Sequence, residues 1–138
     1  MNTIVATRNK ILMLEESMRD LPQTELEVNH YFAHGTYTRE LRIPKGVALT
    51  GKIHRYSCIN ILAQGKIRVV TEEDIYDIEA PYTFVSGPGI KKAGYALEDT
   101  VWLNVHPWDG EMTVKQLEHQ IIASSYDALM QEKKTCLG

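Results

Sequence analysis

Residues 46–65 read GVALTGKIHRYSCINILAQG. The stretch contains two short runs rich in apolar and β-branched residues, Val47 to His54 and Ser57 to Ala63, set between glycines, and this pattern predicts strands. A third run, Lys66 to Val70, follows directly after Gln64 and Gly65. Two residues between two apolar runs predict a tight hairpin whose glycine accepts a positive φ. The same pattern repeats outward, with Thr36 to Ile43 (TYTRELRI) before this centre and Asp74 to Ile78, Tyr82 to Ser86 and Thr100 to His106 (TVWLNVH) after it. Seven of the nine glycines and three of the five prolines lie between Gly35 and Gly94, so turn-forming residues concentrate where the short runs are. Strands at this spacing predict a mainly β domain, a sandwich or a barrel.

The two ends read differently. Ile11, Leu14 and Met18 recur at helical spacing with Glu15 and Glu16 on another side, which predicts a short helix over about residues 8–20, ended near Pro22. Near the C-terminus Thr113 and Gln116 fit a capping box, and Val114, Leu117, Ile121 and Leu129 keep a broad apolar side, predicting a helix from about 114 to 133. The chain therefore divides into residues 1–35 (N-terminal helix and loop), 36–108 (β domain) and 109–138 (C-terminal helix, packing on the β domain or on a partner subunit).

With 138 residues, 43% hydrophobic and 24% charged, the chain suits one folded domain and neither disorder nor a second catalytic domain. Lys+Arg is 15 against Asp+Glu 18, which lacks the basic excess of a nucleic-acid binder. No apolar run reaches the roughly 18 residues of a membrane span, and charges interrupt the apolar residues of the first 18 positions, unlike a secretory leader. The expectation is a cytoplasmic protein without membrane or nucleic-acid partners. Only two cysteines, Cys58 and Cys136, are present, so reduced thiols are expected rather than a disulfide framework.

The spacing of Gly46, Lys52, His54, Cys58 and Gly65 resembles the first motif of the cupin superfamily, in which a glycine precedes His-x-His, a Glu and a second glycine. GPGIKK resembles the centre of the second motif, Pro-x-Gly-x-x-His, with Gly87 at the proline, Gly89 at the glycine and Lys92 at the histidine. The resemblance covers about residues 36–106 and implies a small jelly-roll barrel of two sheets with a ligand pocket inside. It also implies a metal ion held by three His and a Glu, but those corners here read Lys52, His54, Cys58 and Lys92. Two ammonium groups repel a cation, and one imidazole with one thiol leaves too few donors. The expectation is no metal cofactor. The alternative is a divalent ion at His54 with substitute donors from Tyr56, Asn60 or His106, the last sharing a strand face with Trp102 and Asn104.

Within such a barrel the strand period puts Lys52 and His54 on one face, and Cys58 follows at even spacing. A pocket holding lysines and a histidine favours a small anion, because a buried ammonium needs a compensating charge. The expected ligand-binding residues are Lys52, Cys58, Lys92, Tyr95, Trp102 and His106, with Tyr56, Tyr95 and Trp102 as a flat wall for a nucleotide or sugar phosphate. A second expectation is a metal-free isomerase or epimerase, in which His54 is the base and Tyr56 or Lys92 the acid. A third is an interaction protein that uses the barrel as a scaffold and forms a homodimer.

His30 and His34 in HYFAH are expected in a loop, and the acidic TEED (71–74) and EDT (98–100) stretches in solvated turns. The strings IKKAGYALEDTVWLNVH, RELRIPKG and TGKIH are similar to small cupin-like proteins encoded by tailed phages, which implies a role in the host cytoplasm on a host metabolite or signal.

Overall fold

The computed structural model describes residues 9–13 and 25–123. Among the described residues eleven strands run β1 (Glu27–Ala33), β2 (Thr36–Ile43), β3 (Ala48–Thr50), β4 (Ile53–His54), β5 (Cys58–Gln64), β6 (Lys66–Val70), β7 (Ile75–Glu79), β8 (Tyr82–Ser86), β9 (Ala93–Ala96), β10 (Thr100–Pro107) and β11 (Ile122–Ala123). All pairs are antiparallel. One sheet has the order β1-β2-β10-β5-β8, the other β3-β9-β6-β7, and β11 pairs with β4 alone. This is the mainly β jelly-roll expected, built as two facing sheets.

The sheets face each other because their alternating apolar sides need a common core. Ile43 and Leu62 from the five-stranded sheet meet Ile67, Val69, Ile78 and Ala96 from the four-stranded one, and Leu62 and Ala96 are fully buried. Burying each large aliphatic side chain contributes about 1.5–3 kcal/mol. This apolar layer fills one end of the sandwich.

Five expectations are corrected. HYFAH is not a loop: it runs through β1, in register with β2, because Phe32 packs on Tyr37 and Trp108. Val47 to His54 is broken after Thr50 into β3 and β4, which lie in different sheets. Gly65 does have positive φ (+89°), but it is not a hairpin tip. The chain there leaves the five-stranded sheet at Gln64 and joins the four-stranded sheet at Lys66, with the Gly65 carbonyl accepting from Ala80 N–H at 2.9 Å. The helix from Val114 has the expected capping box of Thr113 and Gln116 but ends at Ile121, where Ile122 turns extended to pair with His54. Residues 124–133 of the expected helix, the part of the N-terminal helix outside 9–13, and Cys136 lie outside the described residues. Within TEED, Glu72 is 8% exposed rather than solvated, while Thr71 Oγ1 organises the turn by accepting from Glu73 and Asp74 N–H.

Candidate functional site

Strand register stacks the inward side chains of the five-stranded sheet into rows that grow more polar toward one end. Leu41, Trp102, Leu62 and Tyr82 form one row. The next is Arg39, Asn104, Asn60 and Phe84. Beyond it stand Tyr37 beside His106, and Cys58 beside Ser86. A register shift between Val101 and Trp102 brings Trp102 and Asn104 opposite Leu62 and Asn60 rather than their outward neighbours, a usual role of a bulge. A cavity of about 190 Å³ opens over these rows, and its lining includes Arg39, Lys52, His54, Asn60, Lys92, Trp102, Asn104 and His106.

Asn60, 1% exposed, organises the floor. Its Oδ1 accepts from Asn104 Nδ2 (2.6 Å), Trp102 Nε1 (3.2 Å) and Lys92 Nζ (3.4 Å). Its Nδ2 donates to the Cys58 carbonyl (3.1 Å) and to Ser86 Oγ (2.9 Å). One amide thereby satisfies donors from three other side chains, which fixes the cavity wall against rotation.

Lys92 projects into the cavity just ahead of β9. Its ammonium lies 5.5 Å from the Phe84 ring centroid and 5.9 Å from that of Trp102. Burial pushes its pKa down to about 8, and the Cys58 thiol group acts in the opposite direction; among the described residues no carboxylate acts on it. It is thus about nine-tenths protonated at pH 7. His54 is held by its backbone from two sides, paired with Ile122 and accepting from Gly89 N–H at 2.8 Å. Burial, together with His106, Lys92 and Arg39, pushes its pKa down to about 4, so its imidazole is neutral at pH 7. Burial and Arg39 lower that of His106 in the same direction.

The expected site residues separate into two groups. Lys52, His54, Lys92, Trp102 and His106 line the cavity, Lys52 at its exposed rim. Cys58 lies behind that lining, 3% exposed, with Sγ 3.9 Å from His106 Nδ1. Burial raises its thiol pKa, outweighing the lowering by the Asn104 hydrogen bond and by Lys92. Tyr56 and Tyr95, at 59% and 45% exposed, stand outside the cavity. They form no wall for a ligand there because β4 ends at His54 and Tyr95 faces away from the inward side of β9. His30 donates to or accepts from Tyr37 Oη at 2.6 Å, and His34 is exposed in the turn that follows.

Sequence reasoning missed Arg39 and Glu118. Alternation along β2 places Arg39 on the side of the buried Tyr37 and Ile43, and this signal was available. Glu118, Ile121 and Ile122 close over the cavity from the C-terminal segment, which no local pattern announces.

The four corners that hold metal in the resembled family carry Lys52, His54, Cys58 and Lys92 here. Two ammonium groups, one of them largely buried against Asn60, do not fit that ion.

No protein-family model matches the chain, and no curated protein matches it. Solved structures do. A cupin superfamily protein from Desulfitobacterium hafniense is similar at 8% identity and a TM-score of 0.52, over 67% of this chain and 86% of that one. The Cnp3 cupin domain of Schizosaccharomyces pombe is similar at 14% identity and a TM-score of 0.52, over 78% of this chain and 80% of that one. KdgF from Halomonas sp. is similar at 16% identity and a TM-score of 0.53, over 67% of this chain and 91% of that one. The likeness carries the fold, that of cupin and RmlC-like proteins. Among the described residues no helix is long and apolar enough to cross a membrane.

Proposed function

We propose that this cupin-fold chain binds a small anion, a sugar phosphate or the phosphate end of a nucleotide, in the cavity over Asn60. The observation that carries the reading is Lys92: a largely buried ammonium with an amide oxygen and two aromatic faces for company and, among the described residues, no carboxylate acting on it. A buried charge without a counter-charge is unfavourable, and a ligand phosphate supplies one. Arg39 and Lys52 add positive charge to the lining, and among the described residues Glu118 is the single carboxylate in it. The volume of about 190 Å³ lies below the range of drug-sized pockets and suits a compact ligand, with Trp102 offering an apolar face. The similarity to tailed-phage proteins fits sequestration of a host metabolite or signal in the host cytoplasm by a homodimer, whose mass light scattering measures.

A thermal-shift series with inorganic phosphate, sugar phosphates and nucleotides tests the binding. A ligand at about 100 times its Kd stabilises the protein by about 2.7 kcal/mol, and the shift is expected to vanish in Lys92→Met. No stabilisation by any of these anions overturns the reading.

The neutral His54 imidazole in the cavity also supports a metal-free isomerase or epimerase reading. Tyr56 does not line the cavity, so Lys92 is left as the acid. Turnover of a sugar nucleotide that survives His54→Ala unchanged excludes this mechanism.

A further inference from the structure

Where the cavity lining meets the buried Cys58, the ligand atoms of His54, Cys58 and His106 lie within 4.8 Å of one another. We propose that these three residues form a site for one monovalent copper ion, bound by Cys58 Sγ and one nitrogen from each imidazole. The inference goes beyond anion binding and does not rest on it. Nor is it the donor set of the resembled family: His106 comes from β10, and neither lysine corner takes part.

The chemistry of the donors selects the ion. A thiolate with imidazoles suits thiophilic ions, copper(I) and zinc(II) above all. Charge then separates the two. Lys92 and Arg39 line the same cavity as His54 and His106, so both cationic side chains stand beside this cluster. Copper(I) with one thiolate and two neutral imidazoles is a neutral complex, whereas zinc(II) with the same donors leaves a further positive charge beside two cationic side chains. Three donors also satisfy the trigonal coordination open to copper(I), while zinc(II) takes four ligands.

The geometry is nearly assembled. Metal–sulfur and metal–nitrogen bonds of about 2.3 and 2.0–2.1 Å place the donor atoms roughly 3.3–4 Å apart. Cys58 Sγ and His106 Nδ1 already stand at 3.9 Å, so only the His54 ring has to close in, by about 1 Å. The two rings are 5.4 Å apart between centroids. Asn104 Nδ2 points at Cys58 Sγ at 3.5 Å, and a donor of this kind stabilises the thiolate and orients it. Tyr37 stacks on the other side of His106 at 6.0 Å. A surface pocket lined by Ser57, Cys58, Val105 and His106 lies against the cluster.

The test titrates reduced, metal-stripped protein anaerobically with copper(I) against a chromophoric copper(I) chelator, and with zinc(II) in parallel. The expected result is one equivalent of copper(I), held more tightly than zinc(II). Binding should be lost in Cys58→Ala and His106→Gln, weakened about 10- to 100-fold in Asn104→Leu, and kept in His34→Ala. Because the buried variants can fail to fold, X-ray absorption on the wild-type copper form provides a second reading, with one sulfur and two nitrogen neighbours expected. Absence of stoichiometric copper(I) binding, tighter zinc(II) binding, unchanged binding in Cys58→Ala, or a copper shell without sulfur each overturns the proposal. Phosphate titration of the stripped protein reports on anion binding separately, so the two failures are distinguishable.

Discussion

Replacing Lys92 by methionine separates the two roles a buried ammonium can have. Methionine keeps the length and apolar stem of lysine and removes its charge. Burial holds the Lys92 pKa at about 8, against an ordinary value of 10.5, and each pKa unit corresponds to about 1.4 kcal/mol. Keeping the ammonium in the folded cavity therefore costs up to about 3 kcal/mol near neutral pH. The variant loses the hydrogen bond to Asn60, but Asn60 Oδ1 keeps its bonds from Asn104 and Trp102. Lys92→Met is thus expected to be more stable than the wild type by about 1–3 kcal/mol at pH 7 in urea denaturation, while its phosphate affinity falls at least tenfold, the usual pattern where a functional group strains its site.

The sign with pH follows from linkage. A lysine whose folded-state pKa is lowered binds fewer protons folded than unfolded between about pH 8 and 10.5, so stability relative to the variant rises with pH across that window. The gap is full below pH 8 and closes toward pH 10.5. Anion affinity of the wild type runs the other way, held below pH 8 and lost above it. His54 and His106, both lowered by burial, are already neutral there. Among the described residues burial also raises the pKa of the Cys58 thiol and of the Tyr37 and Tyr76 phenols, and Cys58→Ala and Tyr37→Phe in the same titration isolate the two that lie nearest the site. A variant that is destabilised while binding phosphate as well as the wild type would refute the reasoning, since Lys92 would then be a structural residue.

Two further outcomes are expected. Asn60→Ala strips the acceptor shared by Lys92, Trp102 and Asn104 and should cost about 3–5 kcal/mol in chemical denaturation, from several unsatisfied groups at about 1–3 kcal/mol each; a loss below 1 kcal/mol would mean that water replaces the amide without penalty. Gly65→Ala places a Cβ onto the Asp99 carbonyl at a positive φ, so a destabilisation of at least about 2 kcal/mol is expected, and a calorimetric scan showing an unchanged Tm would contradict the crossover geometry.

Much of the β framework was legible because strands obey a local period. Thr36–Ile43, Lys66–Val70 and Tyr82–Ser86 have the bounds that apolar runs between glycines and prolines indicate. Alternation along β10 likewise put Trp102, Asn104 and His106 on one face, and all three line the cavity. β1 was missed because a half-exposed edge strand with His30, Tyr31 and Phe32 has no clean alternation, and β9 because four residues containing Gly94 carry too little pattern. Gly65 shows the limit of local signals: its left-handed backbone is dictated by residue type, but whether the chain turns back or crosses to the other sheet depends on where Ala80 and Asp99 lie.

Sequence alone determined the strand-rich centre, the capped helix start at Thr113, and the substitution of lysines at positions where the resembled family carries metal ligands. These are properties of a residue and its near neighbours. Tertiary structure decided which of those side chains share a space: Lys92 beside Asn60, Cys58 beside His106, Glu118 over the opening, and Tyr56 and Tyr95 left outside. Such meetings join residues tens of positions apart, and only the pairing of strands and the closing of two sheets on a common apolar core brings them within bonding distance.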